Sequence, residues 1–134
     1  MSKLTILKGR VIKAGRAKGR ALVSPEPIGF LGGVDPNTGR IIEHGHPLEG
    51  RSVAGQILIF PTGKGSTVGS YTLYRMARAG TAPAGILCAQ SEPITAVGAI
   101  IAEIPMLDQI PLDAFQDGYW VTIENDQVIV SMEP

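Results

Sequence analysis

Residues 55–80 read GQILIFPTGKGSTVGSYTLYRMARAG, and this stretch decides the fold. Within "GQILIF", Ile57 to Phe60 is a short continuous apolar run, the pattern of a strand covered on both faces. Proline and three glycines then break the chain at Pro61, Gly63, Gly65 and Gly69. From Val68 the period changes, with Val68, Leu73, Met76 and Ala77 near helical spacing and Gly80 as the stop signal. A strand feeding a glycine-rich turn and a helix is half of a β-α-β unit. The same grammar recurs downstream. "APAGILCA" reads as a second buried strand, "EPITAVGAIIAE" as a second helix whose glutamate and proline suit the positive N-terminal end, and "IPMLDQI" as a short third strand.

Working outward, "LTILKGRVIKAG" and "GRALVS" read as strands, with Gly15 and Gly19 bounding the connection between them. "GFLGGVDPNTGRIIEHGHPLEG" contains a strong turn at Asp35-Pro36-Asn37-Thr38-Gly39 and reads as a loop or irregular hairpin. "GYWVTIENDQVIVSM" is a hairpin about Glu124-Asn125-Asp126. The sum is a mixed α/β domain, strand-helix-strand-helix-strand at its centre with β segments on either side. Two good helices are too few for a full doubly wound fold. At 134 residues the chain is expected to form one domain, residues 1–134.

Twelve basic residues balance twelve acidic ones, so no net field draws the chain to nucleic acid or an anionic membrane. No apolar run approaches the ~20 residues of a membrane span, and the N-terminus has no signal-like core, so a cytoplasmic protein is expected. The single cysteine, Cys88, lies in an apolar run and reads as a small buried hydrophobe. It cannot build a disulfide framework or a thiolate cluster by itself. His44 and His46 stand at strand spacing, but with no third ligand nearby they read as loop residues rather than a metal site. Asp35 and Glu49 read as turn and solvent residues.

The glycine-rich turn invites a nucleotide reading, and the order of residues refuses it. A P-loop needs its lysine directly after the last glycine and a hydroxyl residue after the lysine, whereas Lys64 lies between Gly63 and Gly65. Nor is there a G-x-G-x-x-G opening the helix. What remains is a turn whose backbone amides, with those of the following helix, suit an anion or a developing oxyanion. Ser66 and Thr67 stand at its mouth. On the residues alone, helix capping is the commoner role for Ser66, and Lys64 reads as a solvated charge. No His or acid nearby and no G-x-S-x-G supports an acyl-transfer triad.

The strings "GGVDP.TG", "HPLEGRSVAG", "GKGSTVGSY", "G.AP.GI" and "A..IAEIP.LD", in that order between about Gly9 and Leu107, resemble the small-subunit, or swivel-domain, component of the aconitase X family. The resemblance implies a swivelling β/β/α fold and a larger partner subunit carrying an iron–sulfur cluster and most of the substrate pocket. It makes Ser66 the counterpart of the serine that aconitases use as catalytic base, which reverses the reading from residues alone. Lys64, Gly65 and Thr67 are then expected to bind substrate. Gly32 and Gly33 of "GFLGGV" join them, because paired glycines permit close backbone approach. The activity implied is a hydro-lyase of the archaeal-type mevalonate pathway, dehydrating (R)-5-phosphomevalonate to trans-anhydromevalonate 5-phosphate with a [4Fe-4S] cluster held by the large subunit. Two alternatives stay open: a subunit of a cis-3-hydroxy-L-proline dehydratase, and a non-catalytic binding module that keeps the swivel fold.

Overall fold

The computed structural model describes residues 3–132. Three short strands form its centre: β4 (Ile57–Phe60), β5 (Gly85–Cys88) and β6 (Met106–Asp108), all buried and mutually parallel. Their crossovers are α1 (Gly69–Ala79) and α2 (Pro93–Ala102), packed on each other. Gly80, at φ 76, ends α1 as its sequence predicts. Glu92 caps α2, its carboxylate accepting from the N–H groups of Ile94 at 2.8 Å and Thr95 at 2.7 Å.

The remaining strands wrap this centre. β1 (Leu4–Lys8) and β2 (Arg10–Lys13) come first, then the long β3 (Arg16–Val23), and finally the hairpin of β7 (Trp120–Glu124) and β8 (Gln127–Ser131). The eight strands lie in the order β1-β8-β7-β3-β4-β5-β6-β2. β3 joins two sub-sheets: Arg16–Arg20 pair antiparallel with β7, and Ala21–Val23 pair parallel with β4.

Two sequence expectations are corrected here. "LTILKGRVIKAG" is two strands at opposite ends of the strand order, β1 on β8 and β2 on β6, with only Gly9 between them. That one-residue link forces the sheet to fold back on itself. A Cβ at Gly9 would lie 2.8 Å from the Asp108 carbonyl oxygen, so the corner admits only glycine. Strand-forming residues continue on both sides of Gly9, so the sequence reads as one strand, and the glycine alone marks the corner. Gly19 does not bound a turn; it lies inside β3, where a Cβ would come within 2.7 Å of the Gly55 carbonyl oxygen. A strand glycine of this kind marks close backbone approach.

The alternation of the central strands separates two cores. Ile57, Ile59, Leu87 and Leu107 join Val121, Ile123, Val128 and Val130 of the hairpin. Leu58, Phe60, Ile86, Cys88 and Met106 face the other way, against Leu73 and Met76 of α1 and Ala99 of α2. The layers are therefore sheet, sheet and helices, a β/β/α arrangement. The long segment between β3 and β4 closes the helical core with Ile28, Phe30, Val34, Ile41, Leu48 and Val53. Its turn at Asp35 forms as expected, with the Asp35 carboxylate accepting from the Asn37 N–H at 2.9 Å.

Candidate functional site

The C-terminal edge of the parallel strands is where open α/β sheets bind ligands. There the chain leaves β4 at Pro61 and runs alongside the segment that follows β3. Ile28 bridges Gly63, its N–H donating to the Thr62 carbonyl at 3.3 Å while the Lys64 N–H donates back to Ile28 at 3.0 Å. Gly29 is required at this contact, since a Cβ would lie 2.9 Å from the Lys64 carbonyl oxygen. Gly65 has φ 103, a left-handed backbone that a side chain would strain.

Ser66 and Thr67 follow, both exposed. Ser66 is not the N-cap of α1, which falls at Val68 without a side-chain cap. Instead its Oγ accepts from the Val68 N–H at 3.2 Å and its carbonyl accepts from Gly69 at 2.9 Å, a serine turn placed just ahead of the helix. The hydroxyl hydrogen has no acceptor among the described residues. The turn also changes which amides are free. Those of Val68 to Thr72 are taken by the turn and the first helical bonds, whereas the N–H groups of Gly65, Ser66 and Thr67 meet no acceptor among the described residues. The anion-ready array is therefore that of the turn, as expected, and the expectation that the following helix's amides join it is corrected.

Lys64 is not a bare cation. Its Nζ lies 2.9 Å from Oε2 of Glu43, both side chains partly exposed. Gly33 packs on Gly29, where a Cβ would overlap the Gly29 carbonyl oxygen, and its own carbonyl accepts from the N–H groups of Ile42 and Glu43. Gly32, at φ 78, faces open space. Of the "GFLGGV" segment, Gly29 and its neighbours Phe30 and Leu31 are what the structure brings against residues 64–69.

Sequence reasoning missed the rest of this edge. The Gln90 N–H donates to the Pro61 carbonyl at 3.0 Å, tying the β5–α2 loop to the start of the serine loop. Next to it, Ser91 donates to Oδ2 of Asp108 from its hydroxyl at 2.7 Å and its backbone at 3.2 Å. Arg10 completes the set as a fork, Nε to Oδ1 at 2.9 Å and Nη2 to Oδ2 at 2.6 Å. The Asp108 carboxylate is buried, yet these partners hold its pKa down at about 2, the Arg10 hydrogen bonds first and those from Ser91 after them. Glu92 and Thr95 back the turn from below, where a Cβ on Gly63 would overlap both. No local pattern joins Arg10 to Asp108, which are 98 residues apart.

The two histidines do not converge. Buried His46 accepts from the Leu48 N–H at Nδ1, 3.0 Å, which leaves Nε2–H to donate to the Pro27 carbonyl at 3.2 Å. Both of its ring nitrogens are thus committed, and His44 stands in solvent beside Glu49. Cys88 is buried in the helical core, and burial pushes its thiol pKa up, away from the thiolate that metals need. Among the described residues no three His, Cys, Asp or Glu converge on a point where a metal ion would fit. The donors of this chain do not suit an iron–sulfur cluster.

A sheet/sheet/helix domain with one exposed serine turn at the carboxyl edge of its parallel strands is of the swivelling β/β/α class. The aconitase X swivel domain family matches residues 6–132, and the chain belongs to that family. It is 51% identical over 129 residues to the phosphomevalonate dehydratase small subunit of Methanocella arvoryzae, covering 94% of this chain and 98% of that protein. To the subunit of the same name from Methanothermobacter thermautotrophicus it is 52% identical over 121 residues, covering 88% and 92%. The crystal structure of Thermococcus kodakaraensis aconitase X, in its holo-form, superposes with a TM-score of 0.92 at 43% identity, covering 94% of this chain and 98% of that one.

Proposed function

We propose that this chain is the small subunit of a phosphomevalonate dehydratase, and that Ser66 is its base in converting (R)-5-phosphomevalonate to trans-anhydromevalonate 5-phosphate. The observation that carries the proposal is the exposed Ser66 turn with its free hydroxyl hydrogen and three unpaired amides. It occurs in a chain about half identical, over nearly its whole length, to subunits bearing that name.

The reaction breaks a C–H bond beside a carboxylate, forms the double bond and expels hydroxide, which leaves as water with a proton. Neutral serine is too weak a base for the first step, so Ser66 works as its alkoxide. The Val68 N–H already points at Oγ and stabilises charge there. The amides of Gly65 to Thr67 bind an anionic group of the substrate, and Lys64 steadies the turn through Glu43 or exchanges that carboxylate for the substrate's. The [4Fe-4S] cluster has no ligand set in this chain and is assigned to the larger subunit, in a cytoplasmic complex that alone is active. Thr67 belongs to the rim of the pocket in this reading, with Gly29 in place of Gly32 and Gly33 as the glycine beside it.

The test is anaerobic assembly with the larger subunit and assay of phosphomevalonate loss, with cis-3-hydroxy-L-proline as the competing substrate. Ser66→Ala is expected to lower kcat by about a thousandfold or more with KM and cluster content little changed. Turnover near the wild-type rate would place the base elsewhere, and turnover of the hydroxyproline alone would replace the substrate.

A further inference from the structure

α2 is built inside out. Its ten residues, PITAVGAIIA, include no charge, and their one hydroxyl, Thr95, is buried. The residues it turns inward are small, Thr95, Gly98 and Ala99. Gly98 is needed there, since a Cβ would lie 2.7 Å from Leu73 Cδ1 and 3.2 Å from the Ser70 Cα. The branched residues point outward: Val97 and Ile100 are each 48% exposed and Ile101 40%. A surface helix ordinarily does the reverse, and one that is apolar all round is normally covered on every side. α1 extends the same surface at its N-terminal end with Tyr71, 66% exposed. Farther along, α1 turns polar at Arg75 and Arg78, so the apolar surface stops before the end of that helix.

Between the helices lies a groove lined by Thr67, Tyr71, Pro93, Ile94, Val97 and Ile101, with Ser70 at its floor and no charged side chain among them. Thr67 is the residue after Ser66, so the groove opens on the serine turn. We infer that this groove and the outer face of α2 seat an apolar segment of the larger subunit, an inference that rests on the two-subunit reading above. Two features select that occupant over a second copy of the chain. The exposed Ser66 turn must be roofed by whatever supplies the rest of the pocket, and the apolar surface is continuous with that turn. A second small subunit would bring no cluster ligands to the turn, since this chain has a single, buried cysteine, so it could not complete the site. The absence of charge in the groove calls for an apolar insertion, not a salt-bridged contact.

The experiment uses the full chain and its larger subunit, copurified anaerobically, with binding measured by titration. Val97→Arg and Ile101→Arg are expected to weaken binding by about a hundredfold or more, since each places an unpaired charge in a desolvated interface. The control is Ile6→Arg on β1, a site 63% exposed in the other layer, and it is expected to bind as wild type. Because both α2 variants alter residues already exposed, their melting temperatures should stay close to wild type. Should either misfold, hydroxyl-radical footprinting of the wild type reads the same face, and Tyr71 and Ile101 should be protected in the complex. Wild-type affinity in both folded α2 variants, or no protection of those side chains, overturns the inference. So does an isolated chain that dimerises through this face while the variants bind the larger subunit normally. Wild-type chain that fails to bind the larger subunit at all is a different result, and it removes the two-subunit reading itself.

Discussion

Replacing Asp108 by asparagine tests whether the hidden rim of the site is an electrostatic structure or a packing accident. The carboxylate accepts four hydrogen bonds, two from Arg10 and two from Ser91, between 2.6 and 3.2 Å. Its side chain is 1% exposed and that of Arg10 57%, so the aspartate bears the desolvation while the arginine regains water if released. The fall in the carboxyl pKa from 3.8 to about 2 corresponds to about 2 kcal/mol of folded-state stability. Asparagine keeps one oxygen but presents an NH2 group to a donor, so ~2–3 kcal/mol is expected in urea unfolding at pH 7. The sign with pH follows from the direction of the shift. A carboxyl with a lower pKa folded than unfolded stabilises above the unfolded value, and the effect is lost as pH falls through the folded one. By pH 3 about half of the wild-type advantage should be gone. A loss below about 0.5 kcal/mol at pH 7, or a gap between the two proteins that stays constant from pH 7 to pH 3, would refute the reasoning.

Gly65→Ala forces a left-handed residue at φ 103 and should cost about 1–2 kcal/mol while misaligning the amides of residues 65–67, so kcat/KM of the assembled enzyme should fall by more than the stability loss explains. Lys64→Ala removes a half-exposed ion pair and should leave unfolding free energy within about 1 kcal/mol of wild type. If Lys64 also meets the substrate's anionic group, the same variant loses about tenfold or more in kcat/KM, and steady-state kinetics separate the two effects. Gly63→Ala would push Glu92 off the start of α2, and loss of that cap should lower the melting temperature by several degrees, a change of about 1 kcal/mol.

What the sequence made legible was whatever depends on neighbours in the chain. β4 and β5 announce themselves as apolar runs because both of their faces are covered, and α1 does so through its period and its terminal glycine. The β7–β8 hairpin is equally local: Asn125 takes φ 56 at its turn, the backbone that asparagine tolerates best after glycine. The misread features depend on distant partners. Nothing between Leu4 and Lys13 distinguishes the residues that pair with β8 from those that pair with β6. Arg10 reads as one more strand charge until Asp108 arrives from the far side of the fold. α2 reads as a helix, but its composition hides which face is inward. Only packing against Leu73 and Ser70 shows that the small residues are the inner ones.

The candidate site joins the two kinds of information. The string at residues 63–66 is local, and its resemblance to the aconitase X pattern points to Ser66. The residues alone favour a cap there, but the cap position falls at Val68 and Ser66 forms a turn ahead of the helix instead. One lone pair of Oγ accepts from Val68, which holds the side chain in a single orientation. The hydrogen and the second lone pair stay open toward the exposed side. A hydrogen-bond donor at a base is costly, because it stabilises the alkoxide and so weakens it toward carbon, but it also makes the alkoxide accessible near neutral pH. With a single amide on Oγ, that trade depends on how far water is excluded. This chain leaves the serine in solvent, so under the proposed role its basicity would be set by the surface that closes over it. The apolar groove beginning at Thr67 gives that surface a place to rest, and its burial would dry the serine turn in the same step.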